Sequence, residues 1–362
     1  MRSILKVLIV DDSPTARQLM AHIVSAAPDM HVVGEAFNGN QAVKLTLDLR
    51  PDIILMDIVM PGMNGLEATR EIMNAMPTPI VMTSASLEND ETDVAFQAIR
   101  LGALSVLKKP VGPKHPDYPA QSAALVNTVR ALAGVRVIHH QKHAAALRHP
   151  DGKTFLSKGQ AQPEIVAIAA STGGPAALSE IFKGLPDNFA LPVVVVQHIS
   201  PEFLPSLVEW LGTTTSLHIE IARAGDQPLP EHIYFAPGDA HLRLSKSRRF
   251  ELDRLTRASY IPSGDILLES IATSYGSSAI GVVLTGMGND GARGLQAMHD
   301  LGAYTIAQDE ATSVIFGMPQ EAIALGAAAA VLPIQEIAQA IVKFNASKTG
   351  LPTTPSPCID SP

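Results

Sequence analysis

The sequence predicts an α/β protein made of two doubly wound parallel sheets in tandem. Three observations predict it. Short apolar runs alternate with helix-length segments through most of the 362 residues. Polar residues able to do chemistry follow those runs at their carboxyl ends, and between Val135 and Pro163 the alternation lapses into text rich in His, Gln, Lys, Pro and Gly. Alternating strand and helix patterns spell parallel sheets, and a lapse of this composition spells a connector. At 46% hydrophobic and 17% charged, the chain has enough apolar side chain for more than one core. The expected division is a first domain over 1–134, a linker over 135–163, a second domain over 164–345, and a disordered Ser/Thr/Pro-rich tail over 346–362.

In the first half, strands are expected at Lys6 to Val10, His31 to Ala36, Ile53 to Met56, Ile80 to Thr83 and Ser105 to Leu107, with a closing helix from Ala120 to Leu132. Asp11 and Asp12 follow the first strand and Asp57 ends the third, so the carboxyl edge of the sheet gathers three carboxylates. Such crowding is costly unless a divalent cation neutralises it, and Mg²⁺ prefers oxygen ligands of this kind. Ser84 adds a hydroxyl after the fourth strand and Lys109 a positive charge after the fifth. One carboxylate can then attack phosphorus while cation and lysine hold the phosphoryl oxygens. The residues by themselves define a Mg²⁺-dependent phosphoacceptor site.

The segments Val10-Asp11-Asp12-Ser13, Met56-Asp57-Ile58-Val59-Met60-Pro61-Gly62 and Lys108-Lys109-Pro110 resemble the receiver domain of bacterial response regulators. The resemblance implies a flavodoxin-like five-stranded sheet. It also implies that Asp57 accepts a phosphoryl group from a histidine kinase of the CheA type, and that Asp12, Asp57 and the Val59 carbonyl bind Mg²⁺ with help from Asp11. Ser84 and Lys109 then match the family's switch hydroxyl and lysine.

In the second half, three apolar runs end in residues of an acyl-transfer site. Ile165 to Ala170 stops at Ser171-Thr172-Gly173-Gly174, Pro192 to Gln197 stops at His198, and Ala279 to Thr285 leads into Gly286-Met287-Gly288-Asn289-Asp290. A serine hydroxyl needs an imidazole to take its proton, and the imidazole needs a carboxylate to fix its tautomer. Ser171, His198 and Asp290 fill those roles. Backbone N–H groups near Thr172 and Met287 are candidates for an oxyanion hole, because neighbouring glycines let the main chain approach a tetrahedral intermediate. The order Ser, His, Asp and the missing Gly-x-Ser-x-Gly elbow disfavour an ordinary α/β-hydrolase. Shorter alternating runs over His241 to Asp253 look like a β-hairpin insertion.

Ala170-Ser171-Thr172-Gly173-Gly174-Pro175, Val196-Gln197-His198-Ile199, Phe235-Ala236-Pro237-Gly238-Asp239 and Leu284 through Gly291 resemble the chemotaxis methylesterase (CheB) family, as do Gln308-Asp309-Glu310 and Phe316-Gly317-Met318-Pro319. The resemblance implies a serine hydrolase switched on by phosphorylation. Its substrates would be glutamyl methyl esters and certain glutamines on the cytoplasmic helices of methyl-accepting chemotaxis receptors, with no cofactor for the hydrolysis itself. It implies Ser171, His198 and Asp290 as the catalytic trio, with the Met287 backbone N–H assisting. One departure stands out: Ala258-Ser259-Tyr260-Ile261 occupies the place where the family's Arg/His-rich stretch is expected ahead of Pro262-Ser263. The competing reading is a phosphorylation-switched scaffold with a degenerate hydrolase domain.

The remaining features narrow the class. The formal charge of −8 argues against general attraction to nucleic acid, and no basic recognition helix follows the linker. No apolar run reaches the ~18 residues of a membrane span, no export signal opens the chain, and the sole cysteine is Cys358, so a cytoplasmic location is expected; the chain is also expected to be a monomer. His139, His140 and His143 are read as linker residues, and Arg248, Arg249, Arg254 and Arg257 as a solvated face.

Overall fold

The computed structural model describes residues 4–84, 96–135 and 161–349. Its first unit runs β1 (Leu5–Val10), α1 (Pro14–Ser25), β2 (Met30–Ala36), α2 (Gly39–Leu49), β3 (Ile53–Asp57), α3 (Gly65–Ala75), β4 (Ile80–Ser84), β5 (Ser105–Lys108) and α4 (Tyr118–Leu132), with a further helical segment at 96–100. The strands pair in parallel in the order β2-β1-β3-β4-β5, the flavodoxin-like order. The strands run one residue past their expected ends at Asp57, Ser84 and Lys108, because these polar residues still pair across the sheet: Asp57 lies opposite Thr83, and Ser84 opposite Lys108.

The second unit runs β6 (Ile165–Ala170), α5 (Gly174–Gly184), β7 (Val193–Gln197), α6 (Leu204–Gly212), β8 (His218–Ile221), β9 (His232–Phe235), β10 (His241–Leu244), β11 (Phe250–Asp253) and α7 (Gly264–Tyr275). It continues through β12 (Ala279–Val283), α8 (Ala292–Asp300), β13 (Tyr304–Gln308), α9 (Met318–Ala324), β14 (Ala330–Leu332) and α10 (Ile334–Thr349). Seven strands form one sheet in the order β14-β13-β12-β6-β7-β9-β8, and β10 with β11 makes the expected antiparallel hairpin beside it. The chain starts at the centre of the sheet, builds out to β8, then returns to build the other side from β12. The direction of winding therefore reverses between β6 and β12, where open α/β sheets place their ligands.

Strand β6 shows why the sheet is buried on both faces. Ile165, Ala167 and Ala169 belong to the core under α7 and α8, while Val166, Ile168 and Ala170 belong to the core under α5 and α10. Period-two alternation sends successive side chains to opposite faces, and both are apolar. Each such Ile or Val, fully buried, contributes roughly 1.5–3 kcal/mol relative to exposure.

Helix α10 continues to Thr349, beyond the expected domain end at Asn345, since Ala346 and Lys348 are good helix formers. The linker histidines His139, His140 and His143 and the tail from residue 350 lie outside the described residues.

Candidate active site

Ser171 directly follows β6 and His198 directly follows β7. Those strands are paired with Ala170 opposite Gln197, so the next residues stand side by side at the carboxyl edge. Main-chain bonds fix both: the Ser171 amide donates to the Thr285 carbonyl at 3.1 Å, and the His198 amide to the Ala170 carbonyl at 2.9 Å. Gln197 reinforces the pair. Its buried Nε2 donates to the carbonyls of Ser171 (2.8 Å) and His198 (3.0 Å).

Asp290 arrives from the loop after β12. Its Oδ2 lies 2.7 Å from His198 Nε2 and accepts the Gly264 amide at 2.6 Å; its Oδ1 accepts the Ser263 hydroxyl at 2.7 Å and the Asp265 amide at 3.1 Å. Burial alone would push this carboxyl up, but the His198 ring, the Asp265 amide and the Ser263 hydroxyl outweigh it and hold the carboxyl below its ordinary 3.8. The carboxylate fixes the imidazole proton on Nε2, which leaves Nδ1 as the acceptor; Nδ1 is buried and has no partner among the described residues. This reverses the nitrogens of the familiar serine-protease triad, where the carboxylate meets Nδ1.

The loop after β12 closes on the serine. A Cβ placed on Gly286 would stand 2.7 Å from Ser171 Cβ and 2.2 Å from Met318 Sδ, so only glycine permits this approach. Met287, next in the chain, is half-buried, and among the described residues neither its amide nor that of Thr172 donates to a protein acceptor. Thr285 and Gln308 brace the loop: the Thr285 hydroxyl donates to the Thr172 carbonyl at 2.9 Å, and Gln308 Oε1 accepts the Thr285 amide at 2.8 Å.

At the first sheet's carboxyl edge, Asp11, Asp12 and Asp57 hold ligand oxygens within 4.8 Å of one another. Asp11 and Asp57 are buried and Asp12 is exposed. Lys109 Nζ lies 2.7 Å from Asp11 Oδ2 and 2.8 Å from Asp57 Oδ1. Burial works against its charged form, but the two carboxylates outweigh that and raise its pKa. Burial also pushes the Asp57 carboxyl from 3.8 up to about 6; Lys109 opposes the rise and the Asp11 charge adds to it. One lysine thus leaves negative charge uncompensated among oxygen donors, a set that suits Mg²⁺. Ser84 ends β4 fully buried, and its carbonyl accepts the Lys109 amide at 2.8 Å. Val59, expected to lend a carbonyl, is exposed on the loop after β3.

The structure sets Ser171 and His198 on neighbouring strand ends, holds His198 against Asp290, and gathers Asp11, Asp12, Asp57 and Lys109 at the first sheet's edge; among the described residues no hydrogen bond joins the Ser171 hydroxyl to His198 Nδ1. Four positions were missed: Gln197 bonds the carbonyls of Ser171 and His198, Ser263 bonds the Asp290 carboxylate, and Thr285 and Gln308 brace the loop after β12. For Gln197, Thr285 and Gln308 the one signal in sequence is a polar residue at or beside the end of an apolar run, whereas Ser263 stands as the N-cap of α7. The arginines expected as a solvated face are only partly so: Arg254 pairs with Asp239 at 3.1 Å, and Arg248 pairs with Glu164 and lies 4.3 Å over the Tyr275 ring.

Fold and site define a class, a response-regulator receiver joined to a methylesterase domain. The profile of the response regulator receiver domain matches residues 7–115, and that of the CheB methylesterase matches residues 166–341. The chain is 42% identical over 336 residues to protein-glutamate methylesterase/protein-glutamine glutaminase 4 of Myxococcus xanthus strain DK1622, covering 92% of this chain and 95% of that one. It is 40% identical over 347 residues to protein-glutamate methylesterase/protein-glutamine glutaminase 1 of Syntrophus aciditrophicus strain SB, covering 95% and 99%. The crystal structure of the Thermotoga maritima CheB methylesterase catalytic domain, 39% identical, covers 51% of this chain and 100% of its own, with a TM-score of 0.49. The chain belongs to the protein-glutamate methylesterase/protein-glutamine glutaminase family, and it is a hydrolase.

Proposed function

We propose that the chain removes methyl groups from glutamyl methyl esters, and deamidates particular glutamines, on the cytoplasmic helices of chemoreceptors, under control of phosphorylation at Asp57. The observation that carries the reading is the His198 imidazole, held by Asp290 at 2.7 Å through Nε2, with its Nδ1 buried and without a partner among the described residues, on the strand end next to that of Ser171. Nδ1 takes the Ser171 proton as Oγ bonds to the acyl carbon; the imidazolium returns it to the leaving group, giving methanol from an ester or ammonia from an amide. Water then attacks the acyl-enzyme with Nδ1 again as base, the Oγ–acyl bond breaks as the proton passes back to Ser171 Oγ, and the substrate is left with a glutamyl carboxylate. The amides of Thr172 and Met287 receive the oxyanion, where one such donor is worth about 2.7–4 kcal/mol in the transition state.

In the receiver, Asp57 is the phosphoacceptor, and Asp11, Asp12, Asp57 and the Val59 carbonyl would hold Mg²⁺. When bound, the cation neutralises phosphoryl oxygens; Lys109 holds its share of that charge, and Ser84 reads out the phosphorylated state. A histidine kinase of the CheA type supplies the phosphoryl group. The contact between units supports gating. Phe96 of the receiver stacks on Trp210 with centroids 5.6 Å apart, Lys108 pairs with Glu202 at 3.3 Å, and Val314, close against Gly173, packs on the receiver cluster of Leu125 and Val129. The receiver thus sits against the segments following His198 and beside Ser171, and phosphorylation loosens it. A location in the cytoplasm follows from the receptor helices it serves; no helix among the described residues is long and apolar enough to cross a membrane.

The test uses methyl-labelled chemoreceptor and measures methanol release. Ser171→Ala is expected to abolish it, and equal release by both proteins would refute the trio. A small phosphodonor with Mg²⁺ is expected to raise turnover in wild type and not in Asp57→Asn.

A further inference from the structure

The stretch from Thr256 to Ser263, which includes Ala258-Ser259-Tyr260-Ile261, forms a strap tied at both ends to one imidazole. His241 is fully buried. Its Nδ1 accepts the Ser263 amide at 3.1 Å, so the ring's proton is on Nε2, which donates to the Thr256 carbonyl at 3.1 Å. The strap carries Tyr260, whose ring lies flat on His198 with centroids 4.6 Å apart and planes 4° from parallel. Its hydroxyl faces the turn after Met287, for a Cβ on Gly288 would stand 2.7 Å from Tyr260 Oη.

Among the described residues the His198 side chain has one hydrogen bond, through Nε2 to Asp290. A single bond is an axis, about which the ring plane is free to swing and carry Nδ1 away from the serine. A flat aromatic face against the imidazole removes that freedom. The same face attracts the positive charge that the ring gains on taking a proton, since a cation within about 6 Å of an aromatic centroid is stabilised by the ring quadrupole.

We propose that Tyr260 is a positioning residue for the hydrolysis. Its ring keeps His198 aligned to accept the Ser171 proton and favours the imidazolium that results. The proposal rests on the trio described above: the proton leaves Ser171 Oγ for His198 Nδ1, the Oγ–acyl bond forms, and Tyr260 exchanges no proton. It acts through its π face, so its hydroxyl is dispensable.

The test measures kcat and KM for methanol release from methyl-labelled chemoreceptor by the full-length, phosphodonor-activated protein, with Tm recorded for each variant. Tyr260→Phe is expected to keep kcat within about twofold, whereas Tyr260→Leu loses about tenfold or more, equivalent to about 1.4 kcal/mol, with KM and Tm unchanged. Tyr260→Ala, a smaller non-aromatic side chain at the same half-exposed position, is expected to match the leucine and so separates loss of the π face from a packing fault peculiar to leucine. The proposal is overturned by Tyr260→Leu turning over like wild type, by Tyr260→Phe falling as far as leucine, or by a loss confined to KM. Ser171→Ala decides separately: if it is inactive while Tyr260→Leu is fully active, the trio stands and only the role of Tyr260 falls.

Discussion

At the scale of single residues, Asp290 is the most heavily solvated group of the site, and its solvent is protein: an imidazole, a hydroxyl and two amides. Its carboxyl is held below the ordinary value, so the folded state binds its proton less readily than the unfolded chain does. The resulting stability is present above the unfolded carboxyl range and is lost as pH falls through the folded value. Asp290→Asn is therefore expected to cost about 2–3 kcal/mol near neutrality, the scale of hydrogen bonds to a charged group, with the gap to wild type closing below about pH 4. Urea unfolding at several pH values checks this, and a gap that stays constant would mean the carboxylate gains nothing from its partners. Gly288 offers a second case. It holds φ at +85°, where an alanine costs about 1–2 kcal/mol. Gly288→Ala is expected to lower Tm by about 3–6 °C and to reduce turnover, because the added methyl also displaces Tyr260. Unchanged turnover in calorimetrically weakened protein would separate the turn from catalysis.

At the scale of elements, the strands were legible because the chain writes buried parallel strands as unbroken β-branched runs, and the reading of β6 agrees with the structure to the residue. The places of the proposed reacting groups were legible for a related reason: in such sheets polar residues follow the runs directly, as Ser171 follows Ala170 and His198 follows Gln197. What could not be read were contacts between segments far apart in the chain. Nothing local to Ser263 says that its hydroxyl meets Asp290, and nothing local to Tyr260 says that it covers His198, since both depend on how the hairpin and α7 pack on the sheet. The pocket at the ends of β1, β3 and β5 was easier, because its charges sit in short, strongly patterned loops. There Lys109 is the only cation within ion-pairing distance of Asp11 and Asp57 among the described residues. Replacing it with methionine leaves buried carboxylates uncompensated, a loss of about 3–5 kcal/mol. Lys109→Met is expected to melt lower than wild type and to recover more when Mg²⁺ is added, whereas equal responses to Mg²⁺ would place the cation elsewhere.

At the scale of the whole molecule, the two units share apolar surface that neither would expose willingly alone. Phe96 is fully buried and Trp210 nearly so, the two rings stack, and Phe96 and Ile99 of the receiver join the same core cluster as Leu207 and Leu211 of α6. An interface that gates must be strong enough to hold the closed state and weak enough for phosphorylation to open it, which sets the coupling at about 1–3 kcal/mol. A stacked aromatic pair is worth about 0.5–1.5 kcal/mol beyond its buried area, a sizeable part of that range. Removing it should therefore shift the closed state toward the open one without touching the reacting groups. Phe96→Ala is expected to raise the unphosphorylated rate of methanol release severalfold and to leave the phosphodonor-activated rate near that of wild type, so that the ratio between the two shrinks. Trp210→Ala should move the ratio in the same direction from the other side of the contact. A variant that keeps the wild-type ratio while its receiver remains folded would mean that the stack is a passive joint and takes no part in the proposed gating.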